Sequence, residues 1–130
     1  MNGVPDSALG DMYRKHIEYI LRKDIESLLD QYTDDAVLIR SLNKVPEYFR
    51  GREGLRRHMQ GILDIQGLDT QVAFWGETVD PQTLMIVESI TMQTARGEVK
   101  MRFADSWVLR DGKIAIHFAG MTQYPDGSVA

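Results

Sequence analysis

An aspartate on an apolar strand face is the strongest chemical signal in the sequence. Side chains alternate between the two faces of a β-strand, so Asp105 shares its face with Met101, Phe103, Trp107 and Leu109. A carboxylate there is costly unless it is paired, hydrogen-bonded or protonated, and burial is expected to raise its pKa. Asp105 is either a satisfied core carboxylate or, in the interpretation we favour, a general acid or base inside a pocket.

Glu88 is a second carboxyl with apolar neighbours. It shares a strand face with Leu84, Ile86, Ile90 and Met92. The opposite face of the same segment is also partly apolar, so a glutamate at an edge or an interface is an equal alternative. In the functional interpretation, Glu88 orients a ligand or polarises one of its oxygens.

The histidines and one arginine complete the set of candidate residues. His16 lies on the apolar stripe of a predicted helix, where it is either a core residue or a group that moves a proton near neutral pH. Arg40 ends a predicted strand, where it binds an anion or a carboxylate or is simply a surface residue. His58 and His117 are interpreted as structural or exposed.

Several other kinds of site lack support in the sequence. No His-x-x-x-His or His-Glu-x-x-His spacing occurs, and the chain has no cysteine, so we predict no metal site. Neither a Gly-x-Gly-x-x-Gly nor a Gly-Lys-Ser/Thr phosphate loop is present. A Ser/His/Asp triad remains open, but no Gly-x-Ser-x-Gly elbow supports it.

Composition indicates one domain of ordinary globular type. The 130 residues carry 15 basic and 19 acidic side chains, a net charge of −4, which argues against a nucleic-acid partner. No apolar run approaches the ~20 residues of a membrane span, and no secretory signal is visible. We expect a cytoplasmic protein of one domain over residues 1–130, with loose ends at 1–6 and 125–130.

Helical patterns come first and strand patterns follow, which predicts an α+β fold with a mostly antiparallel sheet. The first half is predicted to form a helix over 7–22, a short helix with Asp24 as its N-cap that ends at Asp34, a strand over 36–40, a loop over 43–50 and a helix over 51–63. The second half is predicted to form strands over 72–79, 83–94, 98–109 and 113–124. Long antiparallel strands twist and bend, so helices across their mouth would enclose a pocket.

In this order and spacing, four segments resemble a known family. They are Asp24-Ile25-Glu26-Ser27-Leu28-Leu29, Tyr32-Thr33-Asp34-Asp35-Ala36-Val37, Phe49-Arg50-Gly51-Arg52-Glu53-Gly54-Leu55-Arg56, and Phe103-Ala104-Asp105-Ser106-Trp107-Val108-Leu109 with Asp111-Gly112-Lys113-Ile114. The chain resembles the SnoaL-like and ketosteroid-isomerase-like group of the NTF2-like superfamily. The resemblance implies a cone-shaped fold, in which a strongly curved sheet and three helices enclose an apolar pocket, and a homodimer.

The resemblance to the isomerases also implies roles for particular residues. Asp105 matches the aspartate of their oxyanion hole. In those enzymes this aspartate stays protonated and donates a hydrogen bond as a neutral carboxylic acid. His16 stands where they have a catalytic tyrosine, and Arg40 stands where they have the aspartate base. An arginine stays protonated and cannot act as that base, so ordinary ketosteroid isomerisation is doubtful.

These observations lead to a functional hypothesis with an alternative. We expect a cofactor-independent isomerase, dehydratase or cyclase acting on a small hydrophobic carbonyl or polyketide-like compound. Asp105 would be the general acid or base, and His16 its partner or a second acid–base group. Arg40 and Glu88 would orient the ligand or polarise one of its oxygens, and the pocket would be shaped by Tyr32, Met59, Trp75, Phe103 and Trp107. The alternative is a non-catalytic ligand-binding or dimerisation module. A protein–protein adaptor ranks lowest, because the outer face of the Trp107 strand does not offer an obvious apolar patch.

Overall fold

The computed structural model of the protein describes residues 3–41, 45–62 and 67–123. It is an α+β fold, as predicted, with three helices and one sheet of six strands. The elements are α1 (Ala8–Leu21), α2 (Ile25–Asp30), β1 (Tyr32–Ser41), β2 (Glu47–Arg50), α3 (Gly51–Gln60), β3 (Gly67–Val79), β4 (Gln82–Thr94), β5 (Gly97–Arg110) and β6 (Lys113–Gln123).

The sheet has the strand order β2-β1-β6-β5-β4-β3 and is open, with β2 and β3 at its edges. All neighbouring strands are antiparallel except β1 and β6, which are parallel, so the prediction of a mostly antiparallel sheet is confirmed. Register shifts interrupt the pairing of β3 with β4 and of β5 with both ends of β6. Such bulges bend strands, and here they curve the sheet around its helix-covered face.

Short-range signals in the sequence set several element boundaries. The side chain of Asp24 accepts a hydrogen bond from the backbone nitrogen of Ser27, which caps α2 as predicted. Asp111 and Gly112 both have positive φ angles, 53° and 77°, at the tight turn between β5 and β6. This is the geometry that Asp-Gly favours in a two-residue hairpin loop.

Four predicted boundaries differ from the structure. Helix α2 ends at Asp30, and Tyr32 already belongs to β1. Part of the predicted 43–50 loop is the strand β2, because Glu47–Arg50 pairs with β1 along that strand's free edge. β3 begins at Gly67 because it pairs with β4 along its whole length. The predicted ends at Leu63 and Tyr124, and the tail 125–130, lie outside the described residues.

The N-terminal segment packs against the first helix. Of residues 1–6, which we expected to be loose, the structure describes 3–6. The guanidinium of Arg14 donates hydrogen bonds to the carbonyl oxygens of Val4 and Pro5, at 2.7 and 3.2 Å. These bonds hold the segment beside α1.

The core lies between the helices and the concave face of the sheet. Fully buried side chains come from α1, α2, α3 and from the inner face of four strands, β1, β4, β5 and β6: Leu9, Tyr13, Leu28, Leu29, Tyr32, Leu38, Leu55, Met59, Leu84, Ile86, Trp107 and Ile114. Among the described residues, no helix is long and apolar enough to cross a lipid bilayer. The wide end of the concave face is not filled by this core and forms a cavity.

The convex face of the sheet carries an exposed apolar band. Phe74, Met85, Ile116 and Phe118 are 52%, 58%, 36% and 44% exposed. Register pairs Ser106 with both Met85 and Phe118, so these side chains form a band across neighbouring strands. The strand around Trp107 offers no apolar patch alone, as we inferred, but the strands on either side of it do. An exposed apolar band of this kind is typical of an interaction surface.

A pair of identical substitutions tests which leucines form the core. Leu38 is fully buried on β1, whereas Leu21 at the end of α1 is 43% exposed. Leu38→Ala is expected to lower the free energy of unfolding by about 3 kcal/mol, and Leu21→Ala by less than about 1 kcal/mol. Urea denaturation followed by circular dichroism measures both. Equal losses of stability in the two variants would contradict the burial of Leu38.

Candidate functional site

The cavity has a volume of about 630 Å³ and lies between α1, α3 and the concave face of β4, β5 and β6. Most of its wall is aliphatic, aromatic or methionine: Ile17, Ile20, Met59, Ile62, Leu68, Ile90, Met92, Val99, Met101, Phe103, Trp107 and Met121. Its polar lining at the buried end consists of Tyr13, His16, His58, Glu88, Asp105 and His117. Polar groups in a mostly apolar cavity are the usual pattern of a small-molecule site.

Strand pairing brings the two carboxyl groups together. Asp105 on β5 pairs with Ile86 on β4, and Glu88 lies two residues further along the same face of β4. From the opposite side of the cavity, the hydroxyl of Tyr13 on α1 donates a short hydrogen bond to Glu88. One oxygen of Asp105, Oδ1, is buried without a hydrogen-bond partner among the described residues. The two carboxyls therefore differ, since one is held by a phenol and the other faces the cavity.

Burial changes the protonation of this group of side chains. Desolvation raises the pKa of Glu88, and the nearby Asp105 carboxyl raises it further. Desolvation also raises the pKa of Asp105. The pKa of Tyr13 rises for the same reason and through the charge of Glu88, so the phenol stays a donor. Two interacting carboxyls of this kind titrate as a pair, and the pair retains a proton at a pH where ordinary carboxyls are ionised.

His117 links the cavity to the first strand. Its Nε2 lies 3.6 Å from Oδ2 of Asp105, and its Nδ1 lies 2.8 Å from the hydroxyl of Tyr32. Desolvation lowers the pKa of His117 to about 3, so the imidazole is neutral at pH 7 and its contact with Asp105 is not an ion pair. Among the described residues, neither Nε2 of His117 nor Oδ1 of Asp105 has a hydrogen-bond partner. Both atoms are therefore buried polar groups whose hydrogen bonds are not made by the described residues, which is costly unless another group supplies them.

His16 is held from outside the cavity by the residue that follows α2. Its Nδ1 lies 2.9 Å from Oε1 of Gln31, whose amide nitrogen donates a 3.0 Å bond to the carbonyl oxygen of Met12. The His16 ring also packs against Trp107, with ring centroids 5.2 Å apart. Desolvation and the neighbouring His117 lower its pKa to about 4, so His16 is neutral at pH 7.

Arg40 does not line the cavity. Its guanidinium pairs with Glu47 at 3.2 Å, lies 4.5 Å from the ring centre of Phe49, and donates a 2.9 Å bond to Nδ1 of His58. His58 does line the cavity, so Arg40 acts on a ligand only through this histidine. Desolvation, reinforced by the positive charge of Arg40, lowers the pKa of His58 to about 3.

The other predicted site residues divide into two groups. Met59, Phe103 and Trp107 line the cavity together with Asp105, His16 and Glu88. Tyr32 lies behind His117, and Trp75 lies behind Tyr13, against which its ring packs edge-on at 5.4 Å. The indole nitrogen of Trp75 donates to Glu77 at 2.8 Å, away from the cavity. Tyr32, Trp75 and Arg40 therefore support lining residues rather than contacting a ligand.

Sequence reasoning missed Tyr13, His58 and His117 as cavity residues. His58 and His117 were interpreted as structural or exposed, and at only 8% and 4% exposed they are buried. The signal for Tyr13 was its position three residues before His16, on the same helical face. His117 was not recognised from the sequence as an inward-facing residue. Its neighbours Ile116 and Phe118, which lie on the convex face, are apolar and gave that face the pattern of a buried one.

Within the described parts of the chain, no group of three or more histidine, aspartate or glutamate side chains is placed to hold a metal ion. Three cavity histidines instead contact a residue behind the wall: His16 contacts Gln31, His58 contacts Arg40 and His117 contacts Tyr32. Tyr13 and Glu88, which bond to each other, both line the cavity. This arrangement suits hydrogen bonding to a ligand and the transfer of protons.

Comparison with known proteins identifies the fold. AusH from Aspergillus nidulans aligns with a TM-score of 0.74 and 13% identity, over 96% of this chain and 92% of that one. SalBIII, described as an epoxide hydrolase/cyclase-like enzyme in pyran ring formation in polyether salinomycin, aligns at 0.70 and 13%, over 85% and 88%. TerC, co-crystallised with polyporic acid, aligns at 0.67 and 18%, over 87% and 90%.

Sequence comparison identifies the family. No curated protein sequence matches the chain. The SnoaL-like domain matches residues 13–117, which include every polar residue of the cavity described above. The structural neighbours share the NTF2-like fold, which confirms the architecture expected from the resemblance. The chain belongs to the SnoaL-like domain family.

Proposed function

We propose that the protein is an enzyme that performs cofactor-independent acid–base chemistry on a small, largely apolar carbonyl or polyketide-like compound. The reaction is an isomerisation, a dehydration or a cyclisation. The observation that carries the proposal is the pair of buried carboxyls, Glu88 and Asp105, on one wall of an apolar cavity. Raised pKa values at carboxyls in a cleft are characteristic of general acids and bases.

The proposal assigns a different task to each member of the pair. Asp105 exchanges the proton with the ligand, because its Oδ1 is not committed to a partner among the described residues. Glu88 is committed to the hydroxyl of Tyr13 and tunes the pair by its charge. Between described residues, neither carboxyl pairs with a lysine or arginine, and the one imidazole near Asp105, that of His117, is neutral. The neutral imidazole does not suppress the raised pKa of Asp105 as a lysine or arginine would.

Proton transfer by Asp105 proceeds in two steps. In its ionised form, the carboxylate removes a proton from the carbon beside the ligand's carbonyl, and the carbonyl oxygen gains the negative charge. The neutral Asp105 then returns the proton to another atom of the ligand, which restores both groups. The N–H of a cavity histidine can donate a hydrogen bond to the oxygen that becomes charged, which stabilises it. The dry apolar wall strengthens these interactions.

Two further observations favour catalysis over a binding module. A dimerisation module would need no open pocket, whereas this cavity has a volume of about 630 Å³. It would also lack shifted pKa values, whereas burial shifts those of both carboxyls and of His16. The description of SalBIII as a cyclase-like enzyme adds an analogy at the level of the fold.

We also propose that two copies of the chain associate through the convex face of the sheet. The apolar band of Phe74, Met85, Ile116 and Phe118 spans four neighbouring strands and is exposed to solvent in a single chain. Covering these side chains with the same face of a second copy would remove them from water, which is favourable. A symmetric pair of this kind leaves both cavities on the opposite faces of the two sheets.

Deuterium exchange tests the role of Asp105 without knowledge of the substrate. A panel of cyclic ketones and enones is incubated with the protein in deuterium oxide, and loss of the proton signal beside the carbonyl is followed by NMR. Asp105→Asn is expected to slow this exchange at least about 100-fold while leaving ligand affinity within about threefold, because only proton transfer is lost. Asp69→Asn, at an exposed position of β3, is the matched control. Exchange at the wild-type rate in Asp105→Asn would contradict the assignment.

The buried charge of Glu88 predicts a pH-dependent stability. Its pKa is raised in the folded state, so the folded protein binds more protons than the unfolded chain above pH 4.5, and stability is lost as pH rises through the raised pKa. Glu88→Gln removes this loss and is expected to gain on the order of 2 kcal/mol relative to wild type between pH 5 and 9. Glu53→Gln, at an exposed carboxyl of α3, should follow the wild-type profile. Parallel profiles for Glu88→Gln and wild type would mean that the carboxyl is not desolvated.

Charge placed on the convex face tests the dimer. Phe118→Glu and Met85→Glu are each expected to weaken self-association at least about tenfold, because a charged group would be buried at the interface. Val79→Glu, at the β3–β4 turn and 92% exposed, is the control. Sedimentation velocity over a range of protein concentrations gives the association constants. A wild-type protein that stays monomeric would overturn the proposal.

A further inference from the structure

We infer that His16 and His58 present opposite hydrogen-bonding polarity to the cavity, and that the cavity therefore selects a neutral ligand carrying both a hydroxyl and a carbonyl oxygen. His16 offers an acceptor and His58 offers a donor. The inference deepens the proposed function and rests on it, since it specifies the ligand of the same cavity. It follows from the partners that hold each ring from outside.

The polarity of His16 is set by a chain of two hydrogen bonds. The carbonyl oxygen of Met12 can only accept, so the group of Gln31 that faces it is the amide nitrogen, at 3.0 Å. The other end of the same amide is the oxygen, which also only accepts and lies 2.9 Å from Nδ1 of His16. Nδ1 therefore carries the proton. Because the ring is neutral, Nε2 at its far edge carries a lone pair.

The polarity of His58 is set in the opposite sense. An arginine guanidinium has donors and no acceptor, and Nη1 of Arg40 lies 2.9 Å from Nδ1 of His58. Nδ1 is therefore the acceptor, and the proton of the neutral ring is on Nε2. Arg40 is itself held by two bonds to Glu47, each 3.2 Å long. The donor at His58 is consequently fixed by side chains that do not touch the ligand.

Because both rings line the cavity, their opposite hydrogen-bonding polarity determines which ligand groups the cavity prefers. Both line the cavity, while Gln31 and Arg40 do not, so the edge of each ring opposite Nδ1 is the one on the cavity side. The two histidines also lie near enough to influence each other electrostatically. A ligand hydroxyl matches the lone pair of His16, and a ligand carbonyl matches the N–H of His58. Negative charge near Glu88 and Asp105 disfavours a carboxylate ligand.

The tautomers can be read directly from the protein without a ligand. With histidines labelled with nitrogen-15, long-range proton–nitrogen NMR at pH 7 distinguishes protonated from unprotonated ring nitrogens. We expect the proton on Nδ1 in His16 and on Nε2 in His58. In Gln31→Met, which removes the acceptor, the signals of His16 should move towards a mixture of tautomers, whereas Gln31→Glu should preserve Nδ1 protonation. The same tautomer in both rings of the wild-type protein would overturn the inference.

Ligand selection is tested with a set of bicyclic compounds that differ in one group at a time. The probes are isomers of hydroxytetralone, tetralone without the hydroxyl, tetrahydronaphthol without the carbonyl, and tetrahydronaphthoate as the anion. Because one hydrogen bond contributes about fivefold in affinity, the preferred hydroxytetralone should bind about fivefold more tightly than either singly substituted compound. The naphthoate should bind most weakly. Equal affinities across the neutral compounds would contradict the selection rule.

Substitution of each ring assigns the two contacts. His58→Phe is expected to abolish the advantage of the carbonyl and to keep that of the hydroxyl, and His16→Phe should do the reverse. Asp105→Asn separates this inference from the proposed function, because it should stop proton exchange and leave both preferences unchanged. If exchange survives in Asp105→Asn while the preferences follow the rings, the catalytic proposal fails and the binding inference stands. If the preferences do not follow the rings, the inference fails whatever the rate of exchange.

Discussion

Removal of two carboxyl groups from water is the constraint on which the rest of this structure depends. A buried carboxylate is tolerated only when it is hydrogen-bonded or protonated, and Glu88 and Asp105 illustrate both solutions. Glu88 accepts a bond from Tyr13, and the raised pKa values allow the pair to keep a proton. The same dry environment keeps the cavity histidines neutral, so it sets the charge state of the whole polar end of the cavity.

A second layer of residues decides how the cavity groups present themselves. Gln31, Arg40 and Tyr32 lie behind the wall and contact His16, His58 and His117 respectively. Each lies at a different element boundary. Gln31 follows the end of α2, Arg40 lies near the end of β1, and Tyr32 begins β1. Because Gln31 and Arg40 belong to the protein, the direction of the hydrogen bonds that His16 and His58 offer to the cavity is determined before a ligand arrives. This preorganisation reduces the cost of binding and of stabilising charge in a reaction.

The success of sequence reasoning at each residue depended on how different the two faces of its element are. Asp105 could be placed because the face it shares with Phe103 and Trp107 is far more apolar than the opposite one. His117 could not, because Ile116 and Phe118 make the convex face apolar as well. Alternation identifies which residues share a face, but it does not say which face is covered when both are apolar. Arg40 was placed on the correct strand, yet its partners Glu47 and His58 belong to other elements.

The sequence by itself determined the α+β class, the order of helices and long strands, the cap at Asp24 and the Asp-Gly hairpin, because these depend on local propensity and periodicity. The family followed from the resemblance of four motif segments. The sequence also identified Asp105, Glu88 and His16 as unusual polar groups on apolar faces. Only the tertiary structure decided which polar groups meet. The Tyr13–Glu88 bond joins residues 75 positions apart, and the contact of Tyr32 with His117 joins residues 85 apart. Such pairs are set by the curvature of the sheet and the packing of α1 across it, and no local pattern encodes them.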